Sequence, residues 1–269
     1  MTIIEPASAG TGNGLLLRAD ADGVATLTLN RPAQFNSLSA ALLIEMQTAV
    51  DELASDKSLR VVVIAGAGKA FCAGHDLKEL RAHRDRRFVQ DVFERFSHVM
   101  VSLTRLPQPV IARVHGPAFA GGCQLVAQCD LAVASTAATF ATSGINYGLF
   151  CNTPGVSLAR NVPRKRALEM LLTGEAIDAD TALNYGLVNR VAPPERLDEE
   201  IATLTRSILD KTPIAVSAGK HLFYRQVETD LEEAYRLATE AMVENMMTED
   251  AAEGIDAFAQ KRQPIWKNK

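Results

Sequence analysis

The amino-acid sequence predicts an α/β fold, a β/α core followed by a helical C-terminal region. Three observations carry this reading. A short continuous apolar run, Val61-Val62-Val63-Ile64, has the composition of a strand covered on both faces, and residues 110–114 and 131–134 read as further buried strands. Between them lie segments whose apolar residues recur at helical spacing. From about residue 154 the chain turns helical, and Pro193-Pro194 marks the strongest boundary.

In order along the chain, residues 1–14 are rich in Gly, Ala, Ser and Thr and are expected to form a flexible tail. Residues 15–18 and 24–29 read as a β-hairpin across Asp20-Ala21-Asp22-Gly23. Ser39 suits the N-cap of a helix carrying Leu42, Met46, Val50 and Leu53 on one stripe. A strand over 60–65 follows. The next helix, 88–106, places Phe88, Val92, Phe96, Val99 and Leu103 on its apolar face and stops at Pro107 and Pro109. After the strand at 110–114, a short helix opens at Gly121-Gly122 and runs to about Cys129. The strand at 131–134 completes a repeat of strand, loop and helix. One extended stretch, 188–191, interrupts the later helices. Residues 15–194 thus form the core and 195–269 a helical region with breaks at Pro213 and Thr229-Asp230.

A chain of 269 residues with 47% hydrophobic content can bury a substantial core. Its formal net charge of −4 gives no broad attraction to nucleic acid or anionic membranes. The cluster Arg81, Arg84, Arg86 and Arg87 reads either as a solvated helix face or as a contact for ligand phosphates. Cys72, Cys123, Cys129 and Cys151 lack CxxC spacing and read as free thiols in a reducing compartment, with no metal site. No apolar run approaches the roughly 18 to 20 residues of a membrane span, and the N-terminus lacks a signal-peptide pattern, so a cytoplasmic protein is expected.

Gly66-Ala67-Gly68-Lys69 fails as a phosphate loop, because Val63 and Ala70 stand where a Gly and a Ser or Thr are required. GxSxG, HExxH and a helix-opening GxGxxG are absent from the sequence. Two similar corners remain, Ala73-Gly74-His75-Asp76 and Ala120-Gly121-Gly122-Cys123, each following a buried strand and opening a helix. They are either two ordinary turns or, if they converge, a pair of N–H donors for a carbonyl oxygen that gains negative charge.

The strings Asn30-Arg31-Pro32, Asn36-Ser37-Leu38, Lys69 through Glu79, His115-Gly116, Gly121-Gly122-Cys123 and Lys261-Arg262-Gln263-Pro264 strongly resemble the crotonase, or enoyl-CoA hydratase/isomerase, family. The resemblance spans nearly the whole chain. It implies a crotonase-like spiral of ββα turns with a C-terminal helical oligomerisation region, assembled as a homotrimer or a dimer of trimers. It also implies an acyl-CoA thioester as partner, with no cofactor beyond its coenzyme A and no metal. By position, the backbone N–H groups of His75 and Gly121 would form an oxyanion hole. Ala73, His75, Asp76, Leu77 and Lys78 would contact coenzyme A, Gln34 and Phe35 would line its entry, and Phe258 and Lys261 would contribute from the C-terminal helices. The imidazole of His75 is not required for that role.

A hydratase of this family uses two glutamates to hold and activate water. Here Gln124 and Gly144 stand at the matching positions, and neutral Asn152 fits a third acidic position found in some family hydrolases. An amide exchanges no proton usefully near neutrality. A glycine at positive φ in position 144 would also resist any side chain. Residues 146–156 and 162–165 resemble the enoyl-CoA hydratase domain-containing subgroup, which similarly lacks both acids. Three functions stay open: a hydratase-like acyl-CoA enzyme, a non-catalytic acyl-CoA binder or scaffold, and an acyl-CoA hydrolase or isomerase.

Overall fold

The computed structural model describes residues 14–269. The expected tail, apart from Gly14, lies outside the described residues. Strands β1 (Leu16–Ala21) and β2 (Val24–Leu29) form the hairpin, with Ala21 opposite Val24. The turn is therefore Asp22-Gly23 alone, both left-handed at φ 50° and 79°, the backbone whose twist matches the flanking strands.

From β2 onward the main sheet is parallel, passing through β3 (Val61–Gly66), β4 (Val110–Val114), β6 (Leu131–Ser135) and β9 (Arg190–Ala192). Helices α1 (Ala40–Ser55) and α3 (Arg86–Arg105) pack against each other and contribute to the larger core. Ser39 Oγ accepts the Leu42 N–H at 3.2 Å, and Leu42, Met46, Val50 and Leu53 are all buried, as their spacing predicts. Burial of each such side chain stabilises the fold by about 1.5–3 kcal/mol. A second cluster joins Val61, Val63, Ile111 and Val133 to Leu197 and Ile201 of α8 (Leu197–Leu209). Strand β3 is a continuous apolar run because the larger core covers one face and α8 the other, whereas Arg113 interrupts β4 and pairs with Asp198.

A second, narrow sheet joins β5 (Ala118–Phe119), β7 (Thr139–Ala141) and β8 (Ile177–Asp178). Single bridges, Cys72 to Ala118 and Leu38 to His75, carry this wall towards the N-terminal turns. Each turn of chain therefore visits the main sheet, then the second wall, then a helix. The turns run β2, Leu38, α1; then β3, residues 72–75, α2 (Leu77–Ala82) and α3; then β4, β5, α4 (Gly121–Gln128). The next is β6, β7, α5 (Asn152–Asn161) and α6 (Arg164–Thr173), before α7 (Ala179–Asn184) leads into β9.

Beyond α8 come α9 (Pro213–Gln226), α10 (Leu231–Met246) and α11 (Glu249–Ala259). Pro213 opens α9 at its first position, where a missing N–H has no intrahelical consequence. Lys220 Nζ fastens α9 to the core, donating to Leu103 O and Gln108 O at 2.9 Å each and to the Asp130 carboxylate at 2.6 Å. Among the described residues, no helix is long and apolar enough to cross a membrane.

Candidate functional site

Successive turns of the spiral lay the two glycine corners side by side. The Phe119 N–H donates to Cys72 O at 2.9 Å, and a Cβ on Gly122 would sit 2.1 Å from that same carbonyl oxygen, so only glycine fits. Gly74 has φ +92°, and a Cβ there would lie 3.0 Å from the Gly121 nitrogen. Between them Ala120 holds φ 47° and ψ −113°, an unfavourable backbone that costs about 1–3 kcal/mol.

Four neighbouring donors are used. Ala73 N–H donates to Phe35 O, Leu38 N–H to Gly74 O, Asp76 N–H to Leu38 O, and Ala120 N–H to Ala141 O. Among the described residues the N–H groups of His75 and Gly121 have no acceptor. The first residue of a helix has no intrahelical acceptor for its N–H, which accounts for Gly121. Two unpaired donors on adjacent turns can receive an oxygen that becomes negatively charged.

A polar frame holds this corner. Asn36 is fully buried and donates to Ala67 O, Ala70 O and Phe71 O at 2.8, 2.8 and 3.2 Å, while its Oδ1 accepts the Arg31 N–H. Arg31 pairs with Asp76 at 2.9 Å and donates to Ser37 Oγ at 3.1 Å. Asp76 also caps α2, accepting the N–H groups of Lys78 and Glu79. Burial pushes the Asp76 carboxyl up, but the bonds from Arg31 and the helix N-terminus more than offset it and bring it below the usual range. The Asp76 side chain, expected at the ligand, is thus engaged in positioning the corner. Asp76 followed by Glu79 is a legible capping signal, whereas the partner Arg31 is 45 residues distant.

Gln34, Phe35, Ala73, Leu77 and Lys78 lie exposed around the corner, with Phe35 attached through its carbonyl. Phe258 and Lys261 are exposed at the end of α11 and just beyond it. Phe258 is 86% exposed on α11, and the segment after α11 is fastened by Trp266 Nε1 to Asp210 O at 2.9 Å. A cavity of about 620 Å³ opens between the end of α1 and the start of α9 and is lined by none of these residues.

The buried histidine and thiols at the corner are held neutral, and Asp76 is occupied. The His75 ring packs on Phe93 and Phe96, at 4.5 and 5.1 Å between centroids, and its buried Nε2 has no partner. Burial pulls its pKa down to about 4, so the imidazole is uncharged at neutral pH. The sequence strings do not mark Phe93 as a site residue, and the helical stripe marks Phe96 only as core. Gln124, one turn along α4, is 3% exposed and its Oε1 is likewise unpartnered. Gly144 is not among the glycines of positive φ, contrary to the obstacle anticipated there. Its constraint is space: a Cβ would lie 2.6 Å from Leu149 O and 2.8 Å from Cys151 Sγ. Burial pushes the Cys151 thiol up and those of Cys72 and Cys123 up to about 12, leaving them protonated. Among the described residues, no group of three His, Cys, Asp or Glu is placed to hold a metal ion.

A family model described as enoyl-CoA hydratase/isomerase matches residues 19–269. The chain belongs to the enoyl-CoA hydratase/isomerase family. The crystal structure of an enoyl-CoA hydratase from Mycobacterium smegmatis is 57% identical with a TM-score of 0.93, over 94% of this chain and 98% of that one. The structure of human enoyl coenzyme A hydratase domain-containing protein 3 gives 47% identity and a TM-score of 0.91, over 94% of this chain and all of that one. The rat protein of that name, designated mitochondrial, is 46% identical over 92% of this chain and 82% of its own length. These relatives share the crotonase fold that the sequence strings imply.

Proposed function

We propose that this family member binds an acyl-CoA thioester and polarises its carbonyl between the N–H groups of His75 and Gly121. The observation that carries the reading is the pair of unaccepted donors on adjacent turns, rigidly backed by Asn36, Arg31 and Asp76. Coenzyme A would arrive as part of the substrate, with no further cofactor and no metal. Ordinary hydration of an enoyl thioester would be slow. Gln124 and Gly144 occupy the positions matched to the family's acid pair, and loss of such groups typically lowers rates by about 10² to 10⁴ each. The neutral His75 supplies no charged acid at pH 7, and Asp76 is already engaged.

That scarcity of available acid and base favours a second reading, a non-catalytic acyl-CoA binder or scaffold. A hydrolase or isomerase reading would need a group beyond those found at the corner. A cytoplasmic location belongs to this proposal and is checked by cell fractionation, the more so because several relatives are named mitochondrial.

The test is ligand-dependent stabilisation. Butyryl-CoA should raise the melting temperature while free butyrate does not, because binding to the native state stabilises it by mass action. In Gly121→Pro, which deletes one donor, the Raman carbonyl shift of bound thioester should vanish. Equal thermal shifts from both ligands would overturn the reading, and a surviving Raman shift would place the polarising donors elsewhere.

A further inference from the structure

Four arginines crowd the turn between α2 and α3. Arg81 lies in the last turn of α2, Arg84 in the connection, and Arg86 and Arg87 open α3. All four are exposed, and among the described residues none forms an ion pair, whereas Arg95 pairs with Asp91 and Arg166 with Glu169. A solvated basic helix face is ordinarily relieved by acids one turn away. Here those acids are engaged elsewhere. Asp85 accepts the Phe88 N–H at 3.0 Å, Glu79 accepts the Ala40 N–H at 3.0 Å, and Asp91, four residues past Arg87, is held by Arg95. Arg86 and Arg87 also stand at the positive end of a 20-residue helix, where cations are disfavoured. An anion at this turn would relieve both repulsions at once.

The turn has a defined relation to the glycine corner. His75 immediately precedes the Asp76 cap of α2 and packs on Phe93 of α3. Helical rise puts Arg86 about 10 Å along α3 from Phe93. The His83 ring against Phe88, 4.9 Å between centroids, closes the connection.

We propose that the Arg81, Arg84, Arg86 and Arg87 turn receives an anionic group of the thioester ligand whose carbonyl the glycine corner polarises. This rests on the acyl-CoA reading above. Guanidinium forks bind phosphate and carboxylate alike, so the anion is either a phosphate of coenzyme A or a carboxylate at the far end of the acyl chain.

Isothermal titration calorimetry with butyryl-CoA, butyryl-pantetheine and glutaryl-CoA separates these sources. The parent is compared with the variant carrying Arg81→Gln, Arg84→Gln, Arg86→Gln and Arg87→Gln, its fold checked by circular dichroism. If a phosphate is the anion, the variant should bind butyryl-CoA about tenfold more weakly and butyryl-pantetheine unchanged. If a carboxylate is, the parent should prefer glutaryl-CoA to butyryl-CoA and the variant should lose that preference. Identical affinities in parent and variant for all three ligands would overturn the inference while leaving the acyl-CoA reading intact. A parent that binds none of the three would remove both. Should the fourfold variant misfold, Arg84→Gln with Arg87→Gln takes its place, alongside a salt titration of the parent. Affinity for butyryl-CoA and glutaryl-CoA that is insensitive to salt would overturn the inference by itself.

Discussion

His75 contributes its backbone to the corner, while its imidazole sits in an apolar cage with Nε2 unpartnered, and that cage has a measurable thermodynamic signature. Burial lowers its folded pKa to about 4, below the ordinary imidazole value of about 6.5. Between those values the unfolded chain holds the proton and the folded chain does not, so stability is retained above the unfolded value and lost as pH falls from about 6.5 towards 4. Urea titrations across that range should show a declining midpoint in the parent and a flatter profile in His75→Leu. Parallel profiles would assign the pH dependence to other groups. Position 144 is constrained differently. Gly144→Ala should destabilise by about 1–3 kcal/mol, because its methyl group meets a backbone carbonyl and a buried thiol. An unchanged denaturation midpoint would show that residues 149–151 yield freely. Placing a carboxylate there is therefore a packing problem before it is a catalytic one.

At the scale of elements, α9 depends on one buried charge. Lys220 is 6% exposed at its side chain and sits between two carbonyl oxygens and Asp130, which also accepts from Tyr224 Oη at 2.8 Å. Burial lowers the Lys220 pKa, and Asp130 opposes that fall. Lys220→Met would leave the Asp130 charge without its cation, and breaking a buried pair in this way costs about 3–5 kcal/mol. Hydrogen exchange should then accelerate across α9 more than across α1. Uniform exchange would mean that α9 is held chiefly by its apolar contacts. This anchor was not legible in advance, because Lys220 and Asp130 are 90 residues apart and neither belongs to a periodic pattern. The strands β3, β4 and β6 and helices α1 and α3 were legible, since burial on both faces leaves mostly apolar runs in the strands and a helical period in α1 and α3. The second wall was not. A strand of two residues such as Ala118–Phe119 is too short to show alternation, and its register comes from the turn of chain beside it. The corners themselves could be read as glycines following buried strands, but their meeting depends on that unseen wall.

Across the whole molecule, the polar frame and apolar core leave one large surface unaccounted for. In α10 only Leu237 is buried, while Leu231, Tyr235, Met242 and Val243 stand more than half exposed. We expect copies of the chain to cover this surface, as a trimer or a pair of trimers, so light scattering at micromolar concentration should give several chain masses. Leu231→Glu with Tyr235→Glu should lower that mass, and a monomeric parent would refute the expectation. The exposed Phe258 would then find its neighbours in another subunit. The two unpaired donors carry a further consequence. They belong to consecutive turns of one spiral, bridged by backbone pairing at Cys72 and Ala118, so their separation is tied to the interstrand repeat of about 4.8 Å. That spacing behaves as a lattice constant of the fold. Side-chain exchange can alter what surrounds the pair, yet it cannot readily widen or narrow the pair itself. Diversification on such a scaffold is confined to the furniture around a gauge that the backbone has already set.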